Sequence, residues 1–274
     1  MQTATHRIDL HQFSLDVDAG QLAAFDCNLT PDERERAGRF VVPADGAEFT
    51  VGRGRLREIL ARYVGRPPGD LRFAYAAHGK PRLDMNCPVP FFNLSHTGTQ
   101  AVLAVASDLD VGIDIERVRP VERGLARRFF SVAEVATLEA LPADQWREGF
   151  FRCWTRKEAV LKALGVGFSM SLASFDVSIA EGEPPRVLRI DADHGAHTNG
   201  QCSRCDPARK QLSPLQPERL MDERLNSSRS MWTSPVDRQA YRFNAATASA
   251  STLPVVSISA AETSWWVTAR IIAP

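Results

Sequence analysis

Phe150-Phe-Arg-Cys-Trp-Thr-Arg-Lys-Glu-Ala-Val-Leu-Lys-Ala-Leu-Gly165 contains no proline, and no glycine before its last position. Gly165 stands where a helix takes a left-handed C-cap, so the stretch predicts one helix that ends there. At 3.6 residues per turn, Phe150, Trp154, Leu161 and Leu164 form one apolar stripe. Glu158 lies one turn beyond Trp154 and borders that stripe, with Lys162 at i+4 on the same side. A carboxylate at the margin of a core is costly unless something pairs with it. One reading is an ordinary helix ion pair worth roughly 0.2–0.5 kcal/mol. The other puts a cation on Glu158 and a phosphate on Lys162. On this helix alone the ordinary pair is the better reading.

Working outward, Val111-Gly-Ile-Asp-Ile-Glu116 alternates as a strand, with Val111, Ile113 and Ile115 on one face and Gly112, Asp114 and Glu116 on the other. Asp114 and Glu116 then share a face, their Cα atoms roughly 6.5–7 Å apart. Carboxylates so close repel unless a proton or cation sits between them. Oxygen ligands on a rigid strand suit Mg²⁺, which favours a substrate phosphate as a further ligand. A solvent face of an edge strand is the plainer alternative for this hexapeptide. Thr99–Ala106 precedes it, and Ser107-Asp-Leu-Asp110 reads as the tight turn of a hairpin between the two.

Upstream, residues 7–17 alternate as an opening strand. Thr30, Pro31 and Glu33 mark a helix start. Phe49–Tyr63 reads as a helix burying Leu56, Ile59, Leu60 and Tyr63. Leu71–Tyr75 is a short strand, Gly79-Lys80-Pro81 a turn, and Pro88–Pro90 a loop. Downstream of the hexapeptide, Ser131 caps a further helix with Glu134 at N3, and Ser174–Ile179 alternates as a strand. Helices mixed with antiparallel strands give the α+β class.

The domain reading divides the chain into an N-terminal lobe at 1–106, a C-terminal lobe core at 107–190 and a divergent, partly disordered tail at 191–274. In the tail only Leu253–Ile258 and Trp265–Ile272 carry a strand pattern. His194-x-x-His197 and Cys202-x-x-Cys205 offer four zinc-type ligands. They run in the reverse of the usual zinc-finger order and lack flanking structure, so a plain loop is the expectation.

The chain of 274 residues is long enough for a substantial core. Lys plus Arg and Asp plus Glu both number 33, which gives no nucleic-acid surface. No apolar run reaches the ~20 residues that span a bilayer. Met1-Gln-Thr-Ala-Thr-His-Arg7 has no signal-peptide core, and five scattered cysteines form no disulfide framework. A cytoplasmic monomer is expected.

Taken together, Gly112-x-Asp114-x-Glu116, Phe129-Phe-Ser131 and Trp154-x-x-Lys157-Glu158-Ala159-x-x-Lys162-Ala-x-Gly165 resemble the 4′-phosphopantetheinyl transferase family. The resemblance is to the single-chain kind with two fused, similar lobes (the Sfp type). Phe92-Asn93-Leu-Ser95-His96-Thr-Gly98, Gly79-Lys80-Pro81 and the segment from Asp32 to Phe40 match in the same order. The likeness covers roughly residues 29–179.

The resemblance implies an active site between two lobes and transfer of the phosphopantetheine arm from coenzyme A to a carrier-protein serine, releasing adenosine 3′,5′-bisphosphate. It implies that Asp114, Glu116 and Glu158 hold Mg²⁺. Asp114, Glu158 and Lys162 would be catalytic, with Glu158 taking the serine proton directly or through a metal-bound water and Lys162 meeting the leaving oxygen. Lys80, Ser95, His96, Arg53, Lys157 and Lys162 would contact coenzyme A, His96 from a loop before a strand. Glu33 and Glu48 depart from the family, standing where basic side chains hold the nucleotide 3′-phosphate; Arg36, Arg53 and Arg57 are the candidates to replace them. The partner would be an apo acyl or peptidyl carrier domain. The rival readings are a different Mg²⁺-dependent enzyme on diphosphates, and an impaired family member that only binds coenzyme A or a carrier.

Overall fold

The computed structural model describes residues 5–183, 185–191, 237–244, 255–259 and 265–272. The N-terminal half runs β1 (Thr5–Ser14), α1 (Ala19–Cys27), α2 (Pro31–Gly38), α3 (Pro43–Val64), β2 (Phe73–Tyr75), β3 (Pro81–Leu83), β4 (Phe91–Thr97) and β5 (Gln100–Ala106). Then follow β6 (Asp110–Arg117), α4 (Arg123–Phe129), α5 (Val132–Glu139), α6 (Trp146–Leu164), β7 (Phe175–Val177) and β8 (Val187–Ile190). Three strands lie beyond: β9 (Asp237–Asn244), β10 (Val255–Ser259) and β11 (Trp265–Ile272). The class is α+β.

Local chemistry sets the helix ends. Thr30 and Glu33 form a reciprocal capping box on α2 with Pro31 in its first turn, and Ser131 and Glu134 do the same on α5. Helix α6 stops at Gly165, whose φ of 66° lies in the left-handed region where a side chain would be strained.

One antiparallel sheet has the order β4-β5-β1-β9 and a second the order β10-β11-β6. On one face of the first sheet, Phe13, Leu15, Leu103 and Val105 pack with Val51, Leu56, Ile59 and Leu60 of α3. On its other face, Ile8, Leu10, Val102, Ala104 and Ala106 pack with Val111, Ile113 and Ile115 of β6. The far side of β6 carries α6, which packs through Phe150, Trp154 and Leu161 against Phe130, Phe175 and their neighbours. The layers are therefore helix, sheet, sheet, helix, and the strand with the paired carboxylates lies inside them.

Two expectations change here. The β5–β6 hairpin does not form. Both edges of β5 are taken, by β4 and by β1, and β6 pairs instead with β11. Ser107–Leu109 carries the chain from one sheet to the other. In addition, β9 pairs with β1 along its length, from Thr5↔Asn244 to Gln12↔Asp237, in a stretch where the sequence showed no strand pattern. The other two distal strands fall where the pattern placed them. His194, His197, Cys202 and Cys205 lie outside the described residues. Among the described residues, no helix is long and apolar enough to cross a membrane.

Candidate active site

Gly112 decides how closely α6 approaches β6. A Cβ there would fall inside van der Waals contact with the Ala159 carbonyl oxygen and the Ala163 nitrogen, so the helix backbone lies directly on the strand. Asp114 follows two residues later on the same face, and Lys162 stands on the helix turn that crosses it. Lys162 Nζ donates to Asp114 Oδ1 at 2.7 Å and to Ser95 Oγ at 2.9 Å, and Ser95 Oγ donates to the same Asp114 oxygen at 3.0 Å. Asn93, on the same face of β4 as Ser95, accepts from the Ile113 backbone N–H at 2.9 Å and ties β4 to β6. Asp114 is buried, and its other oxygen, Oδ2, receives no hydrogen bond. Such an atom is costly to leave unmatched.

A pocket opens beside this triangle, lined by His78, Gly79, Lys80, Asn93, Glu158, Leu161, Lys162, Gly165 and Gly167. Its volume of about 220 Å³ is below the ~300–1,000 Å³ of sites that enclose a whole ligand. It suits one portion of a larger molecule. Glu116 stands at the side, its carboxylate 2.9 Å from Arg119. Burial, and then the neighbouring Asp114 carboxylate, raise the Glu116 pKa above its ordinary value, while Arg119 opposes the shift.

Models of two families match the chain: the N-terminal region of 4′-phosphopantetheinyl transferases over residues 19–108, and the 4′-phosphopantetheinyl transferase superfamily over 110–212. The 4′-phosphopantetheinyl transferase HetI of Nostoc is 39% identical over 189 residues, covering 68% of this chain and 79% of the relative. The psf-1 transferase of Bacillus pumilus is 36% identical, over 65% and 74%. The Sfp transferase of Bacillus subtilis is 33% identical, over 55% and 66%. The chain belongs to the 4′-phosphopantetheinyl transferase superfamily. It is an enzyme of the Sfp type.

Within that superfamily the structure brings Asp114, Ser95 and Lys162 together and sets Glu158 in the adjoining pocket. Among the described residues no three His, Cys, Asp or Glu side chains converge as a ready-made metal cluster. The donor set still fits a hard dication, because Asp114 Oδ2 is buried and unmatched and Asp114 raises the pKa of Glu116. Lys162 holds the other Asp114 oxygen.

Four residues sit differently from the sequence reading. Lys157 is fully buried on the far side of α6. Its ammonium pairs with Glu134 at 2.8 Å and donates to the Leu172 carbonyl at 2.6 Å and to the Phe175 carbonyl, and it does not line the pocket. His96 belongs to strand β4 and not to a loop; alternation turns it away from Ser95, and it is exposed. Lys80 lines the pocket, and its ammonium is already bonded to the Asp110 carboxylate and the Ala163 carbonyl. Arg57 is committed to a buried two-point ion pair with Glu33 at 2.8 and 3.0 Å and is not placed to meet a 3′-phosphate.

Arg53 remains a candidate. Its side chain lies near the Phe49 and Phe73 rings and donates to the Tyr75 hydroxyl at 3.2 Å, and one guanidinium nitrogen is unmatched. Sequence reasoning had Gly112 within a motif but no reason for it. The close strand–helix approach supplies that reason, and no local pattern signals it.

Proposed function

We propose that this chain transfers the 4′-phosphopantetheine arm of coenzyme A to a serine of an acyl or peptidyl carrier domain, releasing adenosine 3′,5′-bisphosphate. The observation that carries the reading is the Asp114–Ser95–Lys162 triangle beside a pocket that Lys162 and Glu158 line. A carboxylate, a hydroxyl and an ammonium held within 3.0 Å suit the diphosphate of a nucleotide-linked donor.

In this reading Asp114, Glu116 and Glu158 would hold Mg²⁺. When bound, that ion supplies neutralisation of the diphosphate charge. Ser95 and Lys162 bind phosphate oxygens. The carrier serine oxygen forms a bond to the phosphorus that bears the arm, and the bond from that phosphorus to the bridging oxygen on the nucleotide side breaks. Glu158 takes the serine proton, directly or through water, and Lys162 neutralises the departing oxygen. Arg53 meets the nucleotide end, and His96 a phosphate only if its side chain turns. A cytoplasmic monomer completes the reading.

The test is to mix the protein with Mg²⁺, coenzyme A and several apo carrier domains and to measure carrier mass. A phosphopantetheine increment on a carrier serine is expected. Unmodified carriers throughout, with the protein folded and coenzyme A saturating, would overturn the reading.

A further inference from the structure

Lys80 occupies an unusual place for a lysine beside the candidate pocket. It lines the pocket, and its part-buried Nζ is bonded to neighbouring parts of the fold. All three ammonium protons have acceptors: the Asp110 carboxylate, the Val111 carbonyl at 3.2 Å and the Ala163 carbonyl at 2.9 Å. Ala163 lies in the last turn of α6, where carbonyls lack partners within the helix and the helix dipole favours a cation. Gly165, which ends that helix, leaves space that the Lys80 stem fills, since a Cβ there would lie 3.3 Å from Lys80 Cδ. The turn itself is fixed by Gly79 N–H to the Ala76 carbonyl and Ala76 N–H to the Lys80 carbonyl, both at 2.9 Å.

We infer that Lys80 is a positioning residue: with Asp110 it pins the β2–β3 turn onto the C-terminal end of α6, and so holds His78 and Gly79 opposite Glu158 and Lys162. It shapes the coenzyme A pocket without meeting a coenzyme A phosphate. The inference rests on the transferase reading above and separates two roles for Lys80 that predict opposite signs at Asp110. If Lys80 met a phosphate, Asp110 would compete with that phosphate, and Asp110→Asn would strengthen coenzyme A binding or leave it unchanged. If Lys80 pins the turn, Asp110→Asn loosens the pocket wall and weakens binding.

The experiment measures coenzyme A dissociation by calorimetry, and KM and kcat for transfer with carrier in excess, in wild type, Asp110→Asn and Lys80→Met. The expected result is a Kd and KM for coenzyme A raised roughly five- to tenfold in both variants, with Asp110→Asn keeping kcat within about twofold at saturating coenzyme A. A purely structural defect would lower kcat through loss of folded enzyme and leave KM where it was. Asp110→Asn with an unchanged or lowered KM overturns the inference, and it decides the matter even if Lys80→Met does not fold. A wild-type protein that neither binds coenzyme A nor modifies a carrier sinks the transferase reading instead.

Discussion

Lys157 and Lys162 leave the same helix five residues apart and end on opposite sides of it. Five residues at about 100° each turn the side chain by roughly 140°. Lys157 Nζ therefore points into the core and lies 2.8 Å from Glu134, while Lys162 Nζ points to β6 and lies 2.7 Å from Asp114. The first ion pair is fully buried and the second opens to the pocket. One motif thus supplies a buried structural lysine and a lysine that lines the candidate pocket.

Lys157→Met is expected to destabilise the protein by about 3–5 kcal/mol, because Glu134 would be left as an uncompensated buried charge. Glu134 also accepts from the Val177 N–H, so the loss spreads to β7. Adding Glu134→Gln removes the stranded charge and should recover much of that loss. Urea denaturation of the single and double variants measures both steps. A single variant as stable as wild type would contradict the buried pairing.

Gly112→Ala is expected to cost roughly 1–3 kcal/mol by overpacking. The larger effect should be on transfer. Pushing α6 away from β6 separates Lys162 from Asp114, and a displacement near 1 Å typically costs about 100-fold in rate. Val160→Ala, a cavity in the core cluster on the same helix, serves as the comparison. It should lose stability without the same loss of rate per folded molecule. Equal loss of rate in the two variants would deny Gly112 its special place.

The parts of this fold that were legible in the sequence are those fixed within a few residues. Thr30 with Glu33, Ser131 with Glu134, and Gly165 after Leu164 each state a helix end through local hydrogen bonding or backbone freedom. The Val111–Glu116 alternation states a strand and its two faces. Pairing partners are another matter. Whether β6 joins β5 or β11 depends on which edges other strands have taken, and β9 reaches β1 across more than half the chain. The candidate site divides in the same way. Asp114, Glu158 and Lys162 are named by the motifs that carry the family resemblance, and the Phe150, Trp154 and Leu161 stripe marks a core face of α6. The burial of Lys157, in contrast, depends on Glu134 and on the Leu172–Phe175 segment.

Glu116→Gln is expected to stabilise the metal-free protein near neutral pH. The sign follows from linkage. Burial and Asp114 raise the folded-state pKa above the unfolded value of 4.5, so the folded state binds this proton more tightly. Wild-type stability from this group is therefore greatest below pH 4.5 and declines as pH rises through the elevated folded value. Glutamine cannot ionise and escapes the decline. Thermal melting of both proteins without divalent ions, from pH 4.5 to 8, should show curves that diverge in favour of the variant as pH increases. Curves that stay parallel would mean that Arg119 has cancelled the penalty.

Lys162→Met should slow transfer more than it weakens coenzyme A binding, and should tighten divalent-ion binding in the absence of coenzyme A. Both effects come from its place. The Lys162 ammonium holds Asp114 Oδ1 at 2.7 Å, so it competes with any other cation for that oxygen, and methionine removes the competitor while keeping most of the stem. With substrate present, the same ammonium can serve the oxygen on which charge grows, an interaction stronger in the transition state than in the ground state. Its loss then falls mainly on kcat. Mn²⁺ binding followed by electron paramagnetic resonance needs no turnover and reads the first effect. Steady-state kinetics with coenzyme A varied and carrier in excess reads the second. The two results are independent. Unchanged Mn²⁺ affinity would mean that the ion avoids the oxygen Lys162 holds, and a raised KM with normal kcat would make Lys162 a residue that only grips the resting diphosphate.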